Sequence, residues 1–204
     1  MRRVVLIDGE NLNYAIRKYL GTQEEKAPRE VLTRINYRGL IEEVLETEDI
    51  GVVMFFGVRM RKITQDEDLE RKTTLGIRNH AKVVSLLQKQ KIEFHKVGNL
   101  RVRVTDPCKK CGSTHRHLAE KGVDVGMAVK MLEEANQETE IIVVSSDTDL
   151  LPAIRAAKRS GAKITFVGYD YMPVLSLAKL ADSTRMMTQQ QVKNNIIKGK
   201  NELY

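Results

Sequence analysis

Short runs of apolar, mostly β-branched residues alternate with amphipathic segments along most of the chain. The runs that are typical of strands cover residues 4–7, 52–56, 92–97, 141–144 and 163–167. Apolar residues at three- and four-residue spacing predict helices over residues 11–20, 40–45, 66–91, 123–135, 151–159 and 173–181. Strands that alternate with helices form βαβ units, so we expect an α/β fold with a central, mostly parallel sheet covered on both faces.

The length and composition suit one domain. The chain has 204 residues, and its hydrophobic fraction of 42% is enough for a substantial core. The opening sequence MRRVVLID predicts a first strand rather than a secretory signal, because its apolar run is short and meets an aspartate. We therefore expect a cytoplasmic protein without a membrane segment, in which Cys108 and Cys111 do not form a structural disulfide.

Basic residues are concentrated in one segment. The formal net charge is +7, and residues 101–121 alone carry +4. The basic residues of this segment are Arg101, Arg103, Lys109, Lys110, Arg116 and Lys121. Val102 and Val104 alternate with charged residues, which predicts one arm of a hairpin with a solvent-facing side. Such a segment favours a polyanion as partner, although an ordinary solvated surface would have the same composition.

Four aspartates are expected at one edge of the sheet. Asp8 ends the first strand and Asp147 follows the strand over 141–144. Asp124 and Asp149 lie near helix starts, which point to the same edge because crossover helices run antiparallel to the strands. Asn11 follows Asp8 in the first helical turn. Open parallel sheets bind ligands outside the carboxyl ends of their strands, so these side chains are candidate site residues.

A hard divalent cation would explain why the carboxylates are grouped. Crowded carboxylates repel each other unless positive charge lies between them, and Mg²⁺ or Mn²⁺ suits an all-oxygen ligand set. Each residue has a structural alternative, because aspartate and asparagine commonly cap helices or favour their positive ends. The chain has no G-x-G-x-x-G motif, no phosphate-binding P-loop and no serine or cysteine nucleophile elbow.

Three segments together resemble the NYN domain, in the LabA-like branch of the PIN-like nuclease superfamily: VVLIDGENLN, KGVDVGMAVKML and VVSSDTDLLPAIRAAKRSGAKITFVGY. The resemblance runs from residue 4 to about residue 187. It implies a PIN-like, Rossmannoid three-layer sandwich over residues 1–187, followed by a C-terminal tail over 188–204 that we expect to be loosely held. The family's acidic motif maps onto Asp8, Asn11, Asp124, Asp147 and Asp149, with Asp182 as a further position.

The resemblance implies a metal-dependent endoribonuclease that hydrolyses RNA phosphodiester bonds. Asp8, Asp124 and Asp147 would bind Mg²⁺ or Mn²⁺, with Asp149 bound directly or through water. Lys121 is a candidate for holding a substrate phosphate, with an ordinary solvent-facing lysine as the alternative. The basic residues of segment 101–121 would contact single-stranded RNA. Two alternatives stay open: a non-catalytic RNA-binding regulatory module of the same fold, and a nuclease or phosphatase acting on DNA or small phosphate esters. The resemblance also implies a homodimer.

The segment DPCKKCGSTHRHL lies in an insertion at residues 106–120 that we expect to be irregular. Cys108 and Cys111 form a C-x₂-C turn, and His115 and His117 follow within a few residues. Two thiolates and two imidazoles make a tetrahedral Zn²⁺ set, so we predict a small structural zinc site. A redox-active thiol pair and a plain basic loop are the alternatives. Zinc would stiffen the basic surface beside the acidic edge.

Overall fold

The computed structural model contains the alternating strands and helices that the sequence predicts. It describes residues 1–64, 67–107, 110–114 and 116–198, except for the side chains of residues 68 and 72. The strands are β1 (Arg2–Asp8), β2 (Val52–Gly57), β3 (Glu93–Lys96), β4 (Asn99–Val104), β5 (Arg116–Lys121), β6 (Thr139–Val144), β7 (Lys163–Tyr169) and β8 (Ser183–Met187). The helices are α1 (Gly9–Leu20), α2 (Tyr37–Leu45), α3 (Glu67–Lys89), α4 (Val123–Glu134), α5 (Leu151–Arg159), α6 (Leu175–Leu180) and α7 (Gln189–Asn194). Short 3-10 helices cover Arg29–Arg34 and Thr148–Leu150.

Six strands form one sheet in the order β3-β2-β1-β6-β7-β8, and every neighbouring pair is parallel. β1 therefore lies inside the sheet, with β2 on one side and β6 on the other. The remaining strands, β4 and β5, form a separate antiparallel hairpin. The predicted α/β class with a mostly parallel sheet is confirmed.

The two faces of the sheet bury separate hydrophobic clusters. On β1, Val5 and Ile7 point to one face, where they join apolar residues of α1, α2 and α7. Val4 and Leu6 point to the other face, which is covered by α4, α5 and α6. This follows from the two-residue period of a strand, which sends successive side chains to opposite faces. Two helical layers around one sheet make the three-layer sandwich that the sequence predicts.

The hairpin corrects the expectation that residues 106–120 are irregular throughout. Arg116–Lys121 forms β5, which pairs with β4 along its whole length. Its sequence RHLAEK has almost no apolar alternation, so periodicity alone does not identify it as a strand. Backbone pairing with β4 and packing of partly buried Val102 and Leu118 against the second cluster stabilise it instead.

The C-terminal segment corrects a second expectation. Residues 189–194, which we expected to be loosely held, form α7 and bury Val192 completely. Thr188 and Gln191 form a reciprocal capping box at the start of this helix. The backbone carbonyl of Asn195 accepts a hydrogen bond of 2.8 Å from the Asn36 amide, which joins the segment to the start of α2. Residues 199–204 lie outside the described part of the chain.

In α4, apolar residues at three- and four-residue spacing do not mark the side that packs against the sheet. Val125, Val129 and Leu132 are 61%, 52% and 46% exposed. Met127 and Met131, on the opposite side, are fully buried against the sheet. Apolar residues surround much of this helix, so its spacing does not determine which side faces the core.

Among the residues that the structure describes, no helix has both the length and the continuous hydrophobicity needed to cross a membrane.

Candidate acidic site at the carboxyl edge of the sheet

Asp8 is the last residue of β1 and is only 8% exposed. Its Oδ1 accepts a hydrogen bond of 3.1 Å from the backbone amide of Asn11, so the carboxylate caps the start of α1. Asp8 therefore has the structural role that was the alternative to metal binding, as the cap of a helix. A cap uses only part of a carboxylate's accepting capacity, so it does not exclude a further ligand.

Asn11 connects the end of β1 to the segment after β6. Its Nδ2 donates to Asp8 Oδ2 at 2.6 Å. Its Oδ1 accepts from the backbone amide of Ser146 at 3.3 Å and also from the Ser146 hydroxyl. Asn11 is thus more than a residue at a helix start, because its side chain fixes two strand ends relative to each other.

Ser145 provides a second connection between the same strand ends. Its buried hydroxyl donates to Asp8 Oδ2 at 3.2 Å and accepts from the Asp147 amide at 3.0 Å. Asp147 Oδ1 in turn accepts from the Asp149 amide at 2.9 Å, which caps the 3-10 helix Thr148–Leu150. A continuous hydrogen-bond network therefore joins Asp8 and Asp147, which are 139 positions apart in sequence.

The electrostatics of Asp8 disfavour its charged form. Burial raises the pKa of Asp8, and the negative charge of Asp147 raises it further. Hydrogen bonds from Asn11 and Ser145 lower the pKa in the opposite direction without cancelling the effect of burial. A cation beside these two carboxylates would relieve the repulsion between them.

Asp124 and Asp149 lie at the same edge of the sheet. Asp124 is half-buried in the first turn of α4, a helix that contacts the 3-10 helix containing Asp149. Asp149 itself is exposed. Within the described ranges, no group of three or more His, Cys, Asp or Glu side chains is arranged to hold a metal ion. The four-aspartate ligand set therefore stays a prediction.

Two glutamates that the sequence did not single out lie beside Asp8. Glu10 is in the first turn of α1, and Glu120 is on β5. Burial of its carboxyl group raises the pKa of Glu120 to about 7, and the charges of Glu10 and Asp8 raise it in the same direction. Glu120 as a whole residue is exposed, so only part of it is withdrawn from water. The register that pairs Glu120 with Leu100 brings it here, and no spacing in the sequence indicates that register.

Asp182 is at the opposite edge of the sheet. Its carboxylate accepts from the backbone amide of Ile164, near the start of β7, at 2.8 Å and from Lys158 Nζ at 2.7 Å. These contacts hold the pKa of Asp182 below its usual range. The structure thus gives Asp182 a structural role and removes it from the candidate site.

The register of the hairpin determines which face each basic residue of β4 and β5 occupies. Arg101 pairs with Ala119 and Arg103 with His117, and residues opposite one another in an antiparallel pair share a face. Arg101, Arg103 and Lys121 therefore occupy one exposed face, which we call the basic face of the hairpin. Lys110 and Arg116 are also exposed, and Lys109 lies outside the described residues.

The predicted zinc ligands are only partly within the described chain, since Cys108 and His115 lie outside it. Cys111 is exposed, with its Sγ 3.0 Å from the hydroxyl oxygen of Ser113. His117 lies on β5 opposite Arg103. The zinc site accordingly stays a prediction.

With this geometry in place, comparison with known proteins assigns the family. Residues 2–187 match the NYN domain. The chain belongs to the NYN domain family. Membership places it in the PIN-like nuclease superfamily, whose members typically use divalent metals. The search of curated proteins returned no match.

One of the solved structures similar to this NYN domain shows the same overall fold. A protein of unknown function from Vibrio parahaemolyticus RIMD 2210633 superposes with a TM-score of 0.55 at 18% identity, and the alignment covers 90% of each chain. Escherichia coli phosphofructokinase-2 in complex with potassium gives a TM-score of 0.40 at 9% identity, covering 89% of this chain and 58% of the other. A point mutant of that enzyme gives 0.39 at 13% identity, covering 87% and 57%.

Proposed function

We propose that this NYN domain is a metal-dependent endoribonuclease that hydrolyses RNA phosphodiester bonds at the acidic edge of the sheet. The observation that carries the proposal is the network in which Asn11 and Ser145 hold the carboxylate of Asp8 close to Asp147. Two carboxylates fixed at the ligand-binding edge of a parallel sheet suit a site for a cation and a phosphate.

The donor atoms fit Mg²⁺ or Mn²⁺. All four predicted ligands, Asp8, Asp124, Asp147 and Asp149, offer carboxylate oxygens, which hard cations prefer. Mg²⁺ usually keeps several waters and needs only one or two protein carboxylates together with substrate phosphates. Asp8 and Asp147 would hold the ion, and Asp124 and Asp149 would complete its surroundings directly or through water. When bound, the ion would stabilise negative charge on the reacting phosphate and lower the pKa of the attacking water.

The protein's own groups would position the RNA. Lys121 follows Glu120 on β5, and Arg101 and Arg103 lie on the paired strand β4; all three carry exposed positive charge. They would attract the phosphate backbone of single-stranded RNA and keep one phosphate near Asp8. Asn11 and Ser145 would hold the carboxylates in place, so that the site needs little rearrangement when substrate binds.

The test is cleavage of end-labelled RNA and DNA of the same sequence with Mg²⁺, Mn²⁺ or EDTA. We expect RNA cleavage that requires metal and that falls roughly 100-fold or more in Asp147→Asn, because the metal contributes several kcal/mol to transition-state stabilisation. Asp49→Asn is the matched control, since Asp49 is exposed near the start of β2, at the other edge.

Each other outcome favours a different function. Equal rates for the wild type and Asp147→Asn would mean that the activity is contamination. RNA binding without cleavage in any metal would favour the non-catalytic regulatory module. Faster hydrolysis of DNA or of small phosphate esters would favour the second alternative.

We further propose that the insertion at residues 106–120 binds one structural Zn²⁺ through Cys108, Cys111, His115 and His117. Support comes from the ligand types, because two thiols and two imidazoles within ten residues match a tetrahedral zinc set. Elemental analysis of the purified protein tests this proposal. Less than about half an equivalent of zinc, in protein prepared without chelators, would contradict it.

A further inference from the structure

A cavity of about 670 Å³ lies beside the acidic site. Its walls come from the end of β2, the start of α1, the 3-10 helix Arg29–Arg34, α3, β5, and single residues of β3 and β4. The volume is within the range of ordinary small-molecule sites. α3 covers the cavity but leaves apolar surface open, since Leu75 lines it and is 53% exposed.

The interior of the cavity is apolar and partly aromatic. Phe94 lies between Phe55 and His80, with ring-centroid separations of 6.4 Å and 5.3 Å. Polar groups reach the same walls through the side-chain amides of Asn13 and Asn79. Flat apolar surfaces combined with a few amides suit a planar heterocycle, which can stack on rings and form hydrogen bonds through its edge.

The cavity adjoins the acidic site. Gly9, Glu10 and Glu120 line it, and the charges of Glu10 and Asp8 both act on the Glu120 carboxylate. Arg29 pairs with Glu10 at 2.7 Å, and Arg116 also lines the cavity. A ligand could therefore place an anionic group near Asp8 while its apolar part enters the cavity.

We propose that this cavity, which we call the base cavity, receives one nucleobase of the RNA strand whose phosphate lies at the acidic site. The inference rests on the proposed function and deepens it, because a bound base would fix which phosphate of the strand reaches Asp8. A purely apolar ligand would make no use of the charged groups that line the cavity, Glu10, Arg29, Arg116 and Glu120. A nucleotide uses the aromatic walls, the amides and the basic groups together.

Binding of the four nucleoside 5′-monophosphates, with ribose 5-phosphate as the base-free comparison, tests the inference by calorimetry in Mg²⁺ and again in EDTA. Gly76→Leu blocks the cavity. A side chain on Gly76 would first meet the flexible end of Met60, which also lines the cavity, and leucine suits the interior of α3. Thr74→Leu adds the same side chain to an exposed position of α3 outside the lining and serves as the matched control.

We expect at least one nucleotide to bind about tenfold or more tightly than ribose 5-phosphate, which is the size of effect that one stacked base provides. Gly76→Leu should remove that advantage, and Thr74→Leu should keep it. Equal binding of nucleotide and ribose 5-phosphate would overturn the inference, as would an undiminished advantage in folded Gly76→Leu. Cleavage of RNA without any contribution from a base would leave the nuclease proposal standing and the base cavity refuted. Nucleotide binding that Gly76→Leu removes, without any cleavage of RNA, would leave the base cavity standing and refute the nuclease proposal.

Discussion

Asn11 is the residue on which the geometry of the acidic site most depends. One side-chain amide donates to Asp8 and accepts from both the amide and the hydroxyl of Ser146. These contacts join the segments that follow β1 and β6. The same contacts stabilise the fold and hold the carboxylates in position, so they give a measurable effect without any substrate.

Asn11→Ala should destabilise the protein by about 1–3 kcal/mol, because it removes partners from polar groups that are largely buried. Unfolding in urea measures this change. Asn194→Ala is the control, since Asn194 is exposed and its amide contacts Glu43 and Gln190 at the surface. That control should stay within about 0.5 kcal/mol of the wild type. Equal stability of the Asn11→Ala variant and the wild type would show that the network contributes little to the fold.

The raised pKa of Glu120 predicts that the stability of the protein depends on pH. That pKa is about 7 in the folded protein, against an ordinary value of 4.5, so the folded state retains a proton that the unfolded state has lost. Stability should therefore fall as the pH rises from 4.5 to 7, and the full cost should be present above pH 7.

Glu120→Gln should consequently be more stable than the wild type at pH 8, and the difference should disappear near pH 4.5. Thermal unfolding at both pH values in EDTA measures it. Glu138→Gln, at an exposed position near the start of β6, is the comparison. A Glu120→Gln variant that is no more stable than the wild type at pH 8 would mean that the Glu120 carboxylate ionises without cost.

At the scale of elements, the β4–β5 hairpin combines two chemically different faces. Leu100 and Leu118 point toward the protein, whereas Arg101, Arg103 and Lys121 point into solvent. Two-residue periodicity produces this separation in any antiparallel pair. Positive charge on the outer face can therefore be altered without disturbing the packed face.

Replacing Arg101 and Arg103 with glutamate should weaken RNA binding and reduce its dependence on salt. Each lost phosphate contact lowers the slope of log affinity against log salt by about 0.7 for a single strand. Fluorescence anisotropy across a salt series, in Asp147→Asn protein to prevent cleavage, measures both effects. The control replaces Arg159 and Lys179 with glutamate; both are exposed residues, in the last turns of α5 and α6. Equal salt slopes for the two double variants would exclude the basic face as an RNA contact.

The sequence predicts which segments form strands and helices better than it predicts which residues those segments contact. Strong β-branched runs identify β1, β2 and β6, because a strand buried on both faces must be apolar throughout. α4 shows the limit, since Val129 and Met131 are equally apolar and only the packed sheet shows that Met131 is buried. Glu120 shows it again, because its approach to Asp8 depends on the hairpin register and on how the hairpin packs.

For the whole molecule, the order of strands creates the candidate site. Asp8 and Asp147 follow β1 and β6, and these strands are direct neighbours in the sheet. Alternation of strands and helices predicts that both residues reach one edge, but it does not predict that β1 lies beside β6. Only that adjacency lets side chains as short as asparagine and serine connect the two strand ends.

The exposed side of α4 gives a prediction for assembly, because the resemblance to PIN-like domains implies a homodimer. Val125, Val129 and Leu132 form an exposed apolar row, and a symmetric dimer would bury the same row on both subunits. We propose this row as the contact. One substitution then introduces two charges into the interface, so Val129→Asp should convert a particle of about twice 23.2 kDa into a monomer.

Sedimentation velocity over a range of concentrations distinguishes the two states. Ile197→Asp is the control, because Ile197 is an exposed apolar residue that adjoins Arg34, in the layer on the opposite face of the sheet. It should leave the dimer intact, since the α4 row is unchanged. A monomeric wild-type protein would contradict the dimer itself, and a Val129→Asp protein that still sediments as a dimer would place the contact on another surface. Asp124 lies in the first turn of the same helix. The RNA cleavage rate of the monomeric variant would therefore also show whether the acidic site depends on the second subunit.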